Sequence, residues 1–324
     1  MYHGLLLIDK PIGVTSHDVV NRVRKAFGTR EVGHAGTLDP MASGLLILLI
    51  GEATKISDYV LNEDKSYQLR VRFGVRTDTL DMTGQILTHE DVHLPIESIR
   101  SAAQSLVGSF MWPVPAYSAV KVNGQKLYQA ARAQTSATVA ENIELPVKEM
   151  IFWDLNVTEA TSQAIEAHIY CSKGSYIRRW ASELGEKLGC GGALEALRRT
   201  GCEPYRLSDA LSLEAIDKVA EAIKLAQTIE GHSGVIPLRE TLQGWRTVSV
   251  RGRDQMLLLN GQIPMEIDRR LLPEKKQAIQ SGNPVRIKVL GGDSGEMLAL
   301  LEAHPNRGLK ICRIFKLVDV PQNQ

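Results

Sequence analysis

The sequence predicts an α+β fold, with a large domain over residues 1–240 and a smaller β-rich domain over residues 245–324. Helical and strand patterns are mixed through the first part, and no internal repeat is visible. From Thr247 the pattern changes to short apolar runs separated by Gly, Pro and Asn. The stretch 231–244 between these parts has the composition of a linker.

Composition places the chain among ordinary soluble proteins. Its 324 residues are 44% hydrophobic and 23% charged, and no apolar run approaches the roughly 18 residues of a membrane span. The N-terminus lacks a basic region and predicts a first strand, not a signal peptide. Four scattered cysteines without a CxxC pair argue against zinc and disulfides and favour a cytoplasmic location. Because the net charge is only +1, RNA binding would require local basic clusters.

The first helix is predicted between Ser16, a candidate N-cap, and Gly28, a candidate C′ residue. Its apolar residues fall on one face at helical spacing, and the other face is basic. That basic face is either simply solvated or a phosphate-binding surface.

A short Gly-rich loop, Gly33–Gly44, precedes the apolar run Leu45–Ile50, which predicts a strand buried on both faces. Pro40 restricts Asp39 to an extended backbone. A lone carboxylate on a constrained loop beside a core strand indicates a catalytic acid, base or nucleophile, or else an Asx-type turn.

Residues 66–73 alternate between apolar and polar side chains and predict a strand in which Tyr67 points inward. A buried tyrosine hydroxyl needs a hydrogen-bond partner. Alternation alone leaves open whether Tyr67 is a core residue or lines a pocket.

A turn at Ser172–Ser175 opens a helix that begins at Tyr176. Arg178 would lie in its first turn, where a cation opposes the helix dipole, so we expect an acidic partner for Arg178. Further along, Leu194–Thr200 predicts a strand with an exposed basic pair, Arg198 and Arg199.

Together these segments resemble the bacterial tRNA pseudouridine-55 synthases of the TruB family, collinearly over nearly the whole chain. The matching segments are Asp9–Ser16, Gly33–Gly44, Lys65–Tyr67, Pro115–Lys121, Gly124–Tyr128, Gly174–Arg178 and Leu197–Arg199. The segment of about residues 61–108 is similar to the RNA-gripping insertion of the stand-alone bacterial type. The C-terminal part resembles a PUA domain, an RNA-binding module.

The resemblance implies a pseudouridine synthase fold, whose central mixed, mainly antiparallel sheet is flanked by helices and loops. It implies that uridine 55 of the tRNA T-loop is flipped out and isomerised, without cofactor or metal. Asp39 would be the nucleophile and Arg178 its partner. Tyr67 would stack on the base and Tyr176 and Leu197 would wall the pocket. His34, otherwise interpretable as a loop-stabilising residue, would fill the space that the flipped base leaves.

The basic residues are expected to contact RNA phosphates. They are Lys10, Arg22, Arg24, Lys25, Lys121, Lys126, Lys173, Arg179, Arg198 and Arg199. The implied partner is the T-arm of tRNA, with no membrane, no obligatory protein partner and a monomeric state. Two other classes remain open: a non-catalytic RNA-binding or RNA-folding protein, and a hydrolase with an aspartate nucleophile.

Overall fold

A computed structural model describes residues 1–118, 120–122, 125–127, 145–225 and 233–317, except for the side chains of Lys121, Gln125 and Lys126. The sequence pattern at residues 127–133 predicts a helix, but this segment lies almost wholly outside these ranges. Asn-Gly at 123–124 is typical of a tight hairpin turn, and the described strands Lys121–Val122 and Gln125–Lys126 on either side of it pair with each other.

The described residues form the following elements. The helices are α1 Ser16–Phe27, α2 Ser57–Leu61, α3 Ile96–Gln104, α4 Ile177–Lys187, α5 Ile216–Lys224, α6 Gly252–Leu259, α7 Met265–Arg270 and α8 Leu272–Ser281. The strands are β1 Gly4–Lys10, β2 Val32–His34, β3 Ser43–Ile50, β4 Lys65–Phe73, β5 Val75–Thr77, β6 Ile86–His89, β7 Gly108–Pro113, β8 Lys121–Val122, β9 Gln125–Lys126, β10 Val147–Thr161, β11 Ala164–Cys171, β12 Gly192–Cys202, β13 Tyr205–Arg206, β14 Leu211–Ser212, β15 Val235–Pro237, β16 Arg246–Val250, β17 Val285–Gly291, β18 Met297–His304 and β19 Gly308–Ile314.

The main sheet is mixed and mainly antiparallel, as the resemblance implied. Its order is β14-β1-β3-β12-β4-β11-β10-β7, with β2, β13 and β15 paired at its sides. Only the β1–β14 and β3–β12 pairs are parallel. In the middle of the sheet, β12 pairs Arg199 with Gly44 of β3 on one side and with Tyr67 of β4 on the other. Gly44, Arg199 and Tyr67, which are far apart in the sequence, therefore lie side by side in the sheet.

Strands β1 and β3 are buried on both faces, which confirms the prediction for Leu45–Ile50. Alternate residues of the two strands enter different apolar clusters. One cluster is covered by α1 and α5, and the other by α2 together with the C-terminal residues Met297, Leu300 and Phe315. A third cluster lies between α3, α4 and the β4–β11–β10 part of the sheet. The loop that carries Asp39 therefore leads into a strand, β3, that is packed on both faces.

The C-terminal part has its own four-stranded sheet in the order β16-β17-β18-β19. The predicted strands are present, but the sequence analysis missed the helices α6, α7 and α8, which pack with this sheet around a fourth apolar cluster. The stretch 231–244 is more than a linker, because β15 pairs with β1 in the main sheet. Among the described residues no helix is long and apolar enough to cross a membrane.

Candidate active site

The loop 35–42 is fixed at the point where it enters β3. Gly44 has φ +100, and a Cβ atom there would lie 2.3 Å from the carbonyl oxygen of Arg199, so the close approach of the two strands requires glycine. At the other end of the loop, the backbone amide of Ala35 donates to the carbonyl of Ile47 at 2.9 Å. Both ends of the loop are thereby tied to the central sheet.

Helix α1 also holds this loop, through a residue whose role the sequence analysis assigned wrongly. The N-cap of α1 is Thr15, which forms a capping box with Asp18. Ser16 is instead the first helical residue, and its buried hydroxyl accepts from the amide of Leu38 at 2.9 Å and donates to the Leu38 carbonyl at 3.1 Å. The residue before Asp39 is thus bound to the start of α1. The Gly28 prediction is confirmed, since Gly28 caps α1 in the left-handed conformation.

Asp39 and Arg178 form an ion pair, with Arg178 Nε 3.1 Å from Asp39 Oδ2. The Arg178 side chain is 8% exposed, whereas that of Asp39 is 42% exposed, so the carboxylate remains accessible to a ligand. Arg178 lies in the first turn of α4. The acidic partner expected from this unfavourable position is therefore present.

Arg178 is also held by the segments around it. Its two terminal nitrogens donate to the carbonyls of Thr79, at 2.9 Å, and Tyr117, at 3.0 Å. A second carboxylate, Asp81, lies 3.6 Å from Nη1 and is itself buried. The hydroxyls of Thr79 and Thr83 and the amide of Thr83 all donate to Asp81. Sequence reasoning missed Asp81, because the polar residues around it form no pattern that indicates a catalytic group.

Tyr67 finds the partner that its buried hydroxyl needs in Arg199. Arg199 Nε donates to the Tyr67 hydroxyl at 3.2 Å, and the terminal nitrogens donate to the carbonyls of Leu45 and Thr37. Burial raises the pKa of Tyr67 to about 12, so its phenol is neutral at physiological pH. The prediction that Arg199 is exposed and contacts phosphate was wrong, because its side chain is buried and all three arms are engaged within the protein.

Lys10 is likewise not a surface contact. It is fully buried, and its ammonium group donates to the carbonyls of Pro11 and Val14 at 2.9 and 2.7 Å. Burial lowers the pKa of Lys10, while the charge of Asp39 acts in the opposite direction. Its amino group therefore stabilises the turn before α1 and is near enough to Asp39 to add positive potential.

Two further predicted site residues lie near Tyr67. Tyr176 and Leu197 are half-buried and pack against the same apolar cluster that contains Tyr67, as does Met41, which was not predicted. Burial raises the pKa of Tyr176, and the Asp39 charge raises it further, which indicates that its hydroxyl lies near the carboxylate. Apolar and aromatic side chains thus lie beside the ion pair, as a pyrimidine pocket requires.

His34 ends β2, opposite Leu48 of β3, and is half-buried. Burial is the main cause that lowers its pKa, and the charges of His17 and Arg199 add to the effect. Its imidazole is therefore neutral at physiological pH. The buried Nδ1 atom has no hydrogen-bond partner among the described residues.

The remaining basic residues differ in their pairing. Three of them are bound to carboxylates: Arg22 to Asp217, Arg179 to Glu183 and Arg198 to Asp9. Lys25 and Lys173 are exposed, and no ion pair of the described residues includes them. The side chains of Lys121 and Lys126 lie outside the described residues. Within the described ranges, no group of three or more His, Cys, Asp or Glu side chains could hold a metal ion.

Two family models match successive segments of the chain. Residues 24–177 match the TruB family pseudouridylate synthase (N terminal domain), and residues 178–245 match the tRNA pseudouridylate synthase B C-terminal domain. The chain is 44% identical to tRNA pseudouridine synthase B of Bdellovibrio bacteriovorus, with 97% of each chain covered. It is 37% identical to tRNA pseudouridine synthase B of Ralstonia nicotianae, covering 91% of this chain and 88% of the relative.

The fold is shared with more distant solved structures. The crystal structure of a Cbf5-Nop10-Gar1 complex contains a chain that superposes with a TM-score of 0.66 at 19% identity, covering 97% of this chain and 84% of that one. The extent and identity of the matches with the bacterial relatives establish the family. The chain therefore belongs to the TruB family of pseudouridine synthases, which are isomerases.

Proposed function

We propose that this protein converts uridine 55 in the T-loop of tRNA into pseudouridine, with Asp39 as the nucleophile. The observation that carries the proposal is the accessible Asp39 carboxylate bound to the buried Arg178. Asp39 lies on a loop that is anchored to the sheet, and Arg178 lies in the first turn of α4, directly after Tyr176. Tyr176 packs against the apolar cluster that contains Tyr67. The names of the two bacterial relatives support tRNA as the substrate.

The reaction moves uracil on the ribose without adding or removing atoms overall. The N1–C1′ bond breaks and a C5–C1′ bond forms, while C5 loses a proton and N1 gains one. A carboxylate can form a covalent bond to the substrate while the base is detached and can leave again when the new bond forms. Two easier steps thereby replace one difficult step. Attack of Asp39 on the sugar and attack on the pyrimidine ring are both consistent with these changes in bonds and protons.

Arg178 has the position of an orienting residue. Its guanidinium contacts Asp39 through Nε, and its other nitrogens are bound to two backbone carbonyls. A planar fork fixed at three points holds the carboxylate in one direction, which a flexible ammonium group would not do. On this proposal the residue keeps the Asp39 carboxylate aimed at the reacting carbon.

Tyr67 would form one wall of the base pocket. Its neutral phenol has a face for stacking, and the Arg199 hydrogen bond fixes the ring from the sheet side. Because the nitrogen donates to the phenol oxygen, the phenol proton stays free to donate to the substrate. Leu197 and Tyr176 complete a pocket of pyrimidine size on this proposal.

The target uridine lies inside a folded loop and must leave its stack before it reaches Asp39. A neutral, half-buried imidazole at the pocket entrance can stack within RNA without the cost of burying a charge. We assign His34 this role.

The remaining parts of the proposal concern binding. The segment 61–108 would grip the T-arm, and the separate four-stranded sheet supports a PUA-like second RNA-binding domain over about 245–324. We propose a monomer that acts on tRNA in the cytoplasm without an obligatory protein partner or a cofactor.

The test is incubation of the protein with unmodified tRNA and with a T-arm hairpin, followed by nucleoside analysis and mapping of the modified position. We expect pseudouridine at position 55 and nowhere else. The variant Asp39→Asn should bind the hairpin with nearly unchanged affinity and release no tritium from 5-tritiated uridine. A non-catalytic RNA-binding protein would bind equally well but give no product from the wild type, and turnover by Asp39→Asn would refute the nucleophile.

A further inference from the structure

The C-terminal end of α1 borders an open cavity of about 520 Å³, lined by Arg24, Lys25, Gly28, Thr29 and Arg30. Three of these five residues are cationic. The cavity is separate from the Asp39 loop, and the chemistry proposed above does not use it. The charge of this lining suits a phosphate group, and the size of the depression suits one that belongs to a larger molecule.

The three cations of this cavity are not neutralised by the protein. Among the ion pairs of the described residues, none includes Arg24, Lys25 or Arg30, although most other arginines there are paired. The neighbouring carboxylate, Glu31, also forms no ion pair. Counting Glu31 as −1 and the helix C-terminus as about −0.5, a net charge of about +1.5 remains. The local potential therefore attracts anions in spite of the helix dipole.

Arg24 supplies the fixed wall of the cavity. Its terminal nitrogens donate to Asn21 Oδ1 at 3.3 Å and to the carbonyl of Val32 at 3.1 Å. Its Nε is buried and has no partner among the described residues. The guanidinium group is thus held in one position at the cavity, and its two terminal nitrogens each carry a second N–H that can donate to an acceptor there.

The cavity is connected to the active site by one face of α1. His17 lies in the first turn of α1, and its charge contributes to lowering the pKa of His34. Arg24 follows seven residues later and lies on nearly the same face of the helix, about 20° from His17. The separation along the axis is about 10 Å, which is roughly the rise of three nucleotides in a duplex. An RNA strand that passes His34 can thus reach the cavity without leaving the protein surface.

We propose that this cavity binds a backbone phosphate of the substrate RNA, several nucleotides from the flipped uridine. The inference rests on the proposed function for the identity of the RNA. Arg24 would orient the phosphate, and the mobile side chains of Lys25 and Arg30 would neutralise it. Arg22 was expected from the sequence to contact phosphate, but it lies about 160° from Arg24 around the helix and is paired with Asp217, so we assign it no part in RNA binding.

The test compares the double variant Lys25→Ala/Arg30→Ala with Arg22→Ala as the matched control. All three side chains are exposed, so these proteins should fold normally. Affinity for a T-arm hairpin is measured over a range of salt concentrations, and single-turnover rates are measured at saturating enzyme. For the double variant we expect roughly tenfold weaker binding near 0.1 M salt and a salt slope lower by about 1 to 2. The saturating rate should stay unchanged, and Arg22→Ala should behave as wild type.

Two further results make the outcome unambiguous. The charge-conserving variant Lys25→Arg/Arg30→Lys should restore both affinity and slope, and inorganic phosphate should weaken RNA binding to the wild type more than to the double variant. Wild-type affinity and slope in the double variant would overturn the site while leaving the proposed reaction intact. Conversely, RNA binding that depends on these residues without formation of pseudouridine would refute the reaction and leave the site standing.

Discussion

Arg199 and Tyr67 lie directly opposite each other on β12 and β4, and Arg199 Nε donates to the Tyr67 hydroxyl across 3.2 Å. The same guanidinium binds the carbonyls of Thr37, before Asp39, and Leu45, after it. One buried side chain therefore connects the aromatic wall of the pocket to both ends of the loop that carries the carboxylate.

Replacing this fork should impair both stability and catalysis. In Arg199→Lys an ammonium group cannot reach all three acceptors, and each buried acceptor left unpaired costs about 1–3 kcal/mol. We expect a lower urea midpoint and a single-turnover rate reduced by roughly a factor of 10². The neighbouring Arg198→Lys, at a half-exposed position paired with Asp9, is the control and should change neither quantity by much. A wild-type rate in Arg199→Lys would contradict the positioning role.

Arg178→Lys tests the ion pair with Asp39. The charge is kept but the planar contact through Nε is lost, so the carboxylate is no longer held in direction. The expected result is a loss of roughly 10²-fold in the single-turnover rate, with little change in hairpin affinity. Arg179→Lys, next to it on α4 and paired with Glu183, should retain the rate. Equal rates for both variants would show that the pair does not aim the nucleophile.

Asp81→Asn removes the second carboxylate beside Arg178. The amide oxygen can still accept from the threonine hydroxyls, but the charge 3.6 Å from Nη1 disappears. We expect a smaller loss of rate than for Arg178→Lys, roughly tenfold, and an unchanged affinity for RNA. The exposed Asp91, which forms no ion pair among the described residues, provides the control variant Asp91→Asn. A larger effect on affinity than on rate would argue for an RNA contact instead.

The buried phenol of Tyr67 predicts a loss of stability in alkali. Its pKa is about 12 in the folded protein and about 10 when unfolded, so the stabilising effect is complete below pH 10 and disappears as the pH rises towards 12. Two pH units correspond to roughly 3 kcal/mol. The free energy of unfolding, measured in urea at pH 9, 10 and 11, should fall more steeply for the wild type than for Tyr67→Phe. Parallel slopes would contradict this, since the other titrating groups are common to both proteins.

The sequence patterns predicted the central strands and the ion pair well, because each depends on local or strongly periodic information. Strand alternation buried Tyr67 correctly, and the helix-dipole argument required an anion near Arg178. The same alternation should have separated Arg198 from Arg199. Consecutive side chains of a strand point to opposite faces, so a basic pair on a strand with one covered face cannot be exposed at both positions.

What could not be predicted depended on tertiary contacts. Nothing in the sequence distinguishes Lys10 from a surface lysine, because its complete burial depends on how other segments pack around it. Asp81 becomes significant only once α4 brings Arg178 to its loop. The helices α6, α7 and α8 are short and their apolar residues do not fall on one clear face, so the helical period was hidden.

The hydroxyl of Ser16 has a mechanical consequence. Because it binds both the amide and the carbonyl of Leu38, the first turn of α1 and the residue before Asp39 move as one piece. If RNA binds along α1 as proposed, a shift of the helix would therefore also shift the backbone next to Asp39, so that binding of the RNA and alignment of the proposed nucleophile would be coupled.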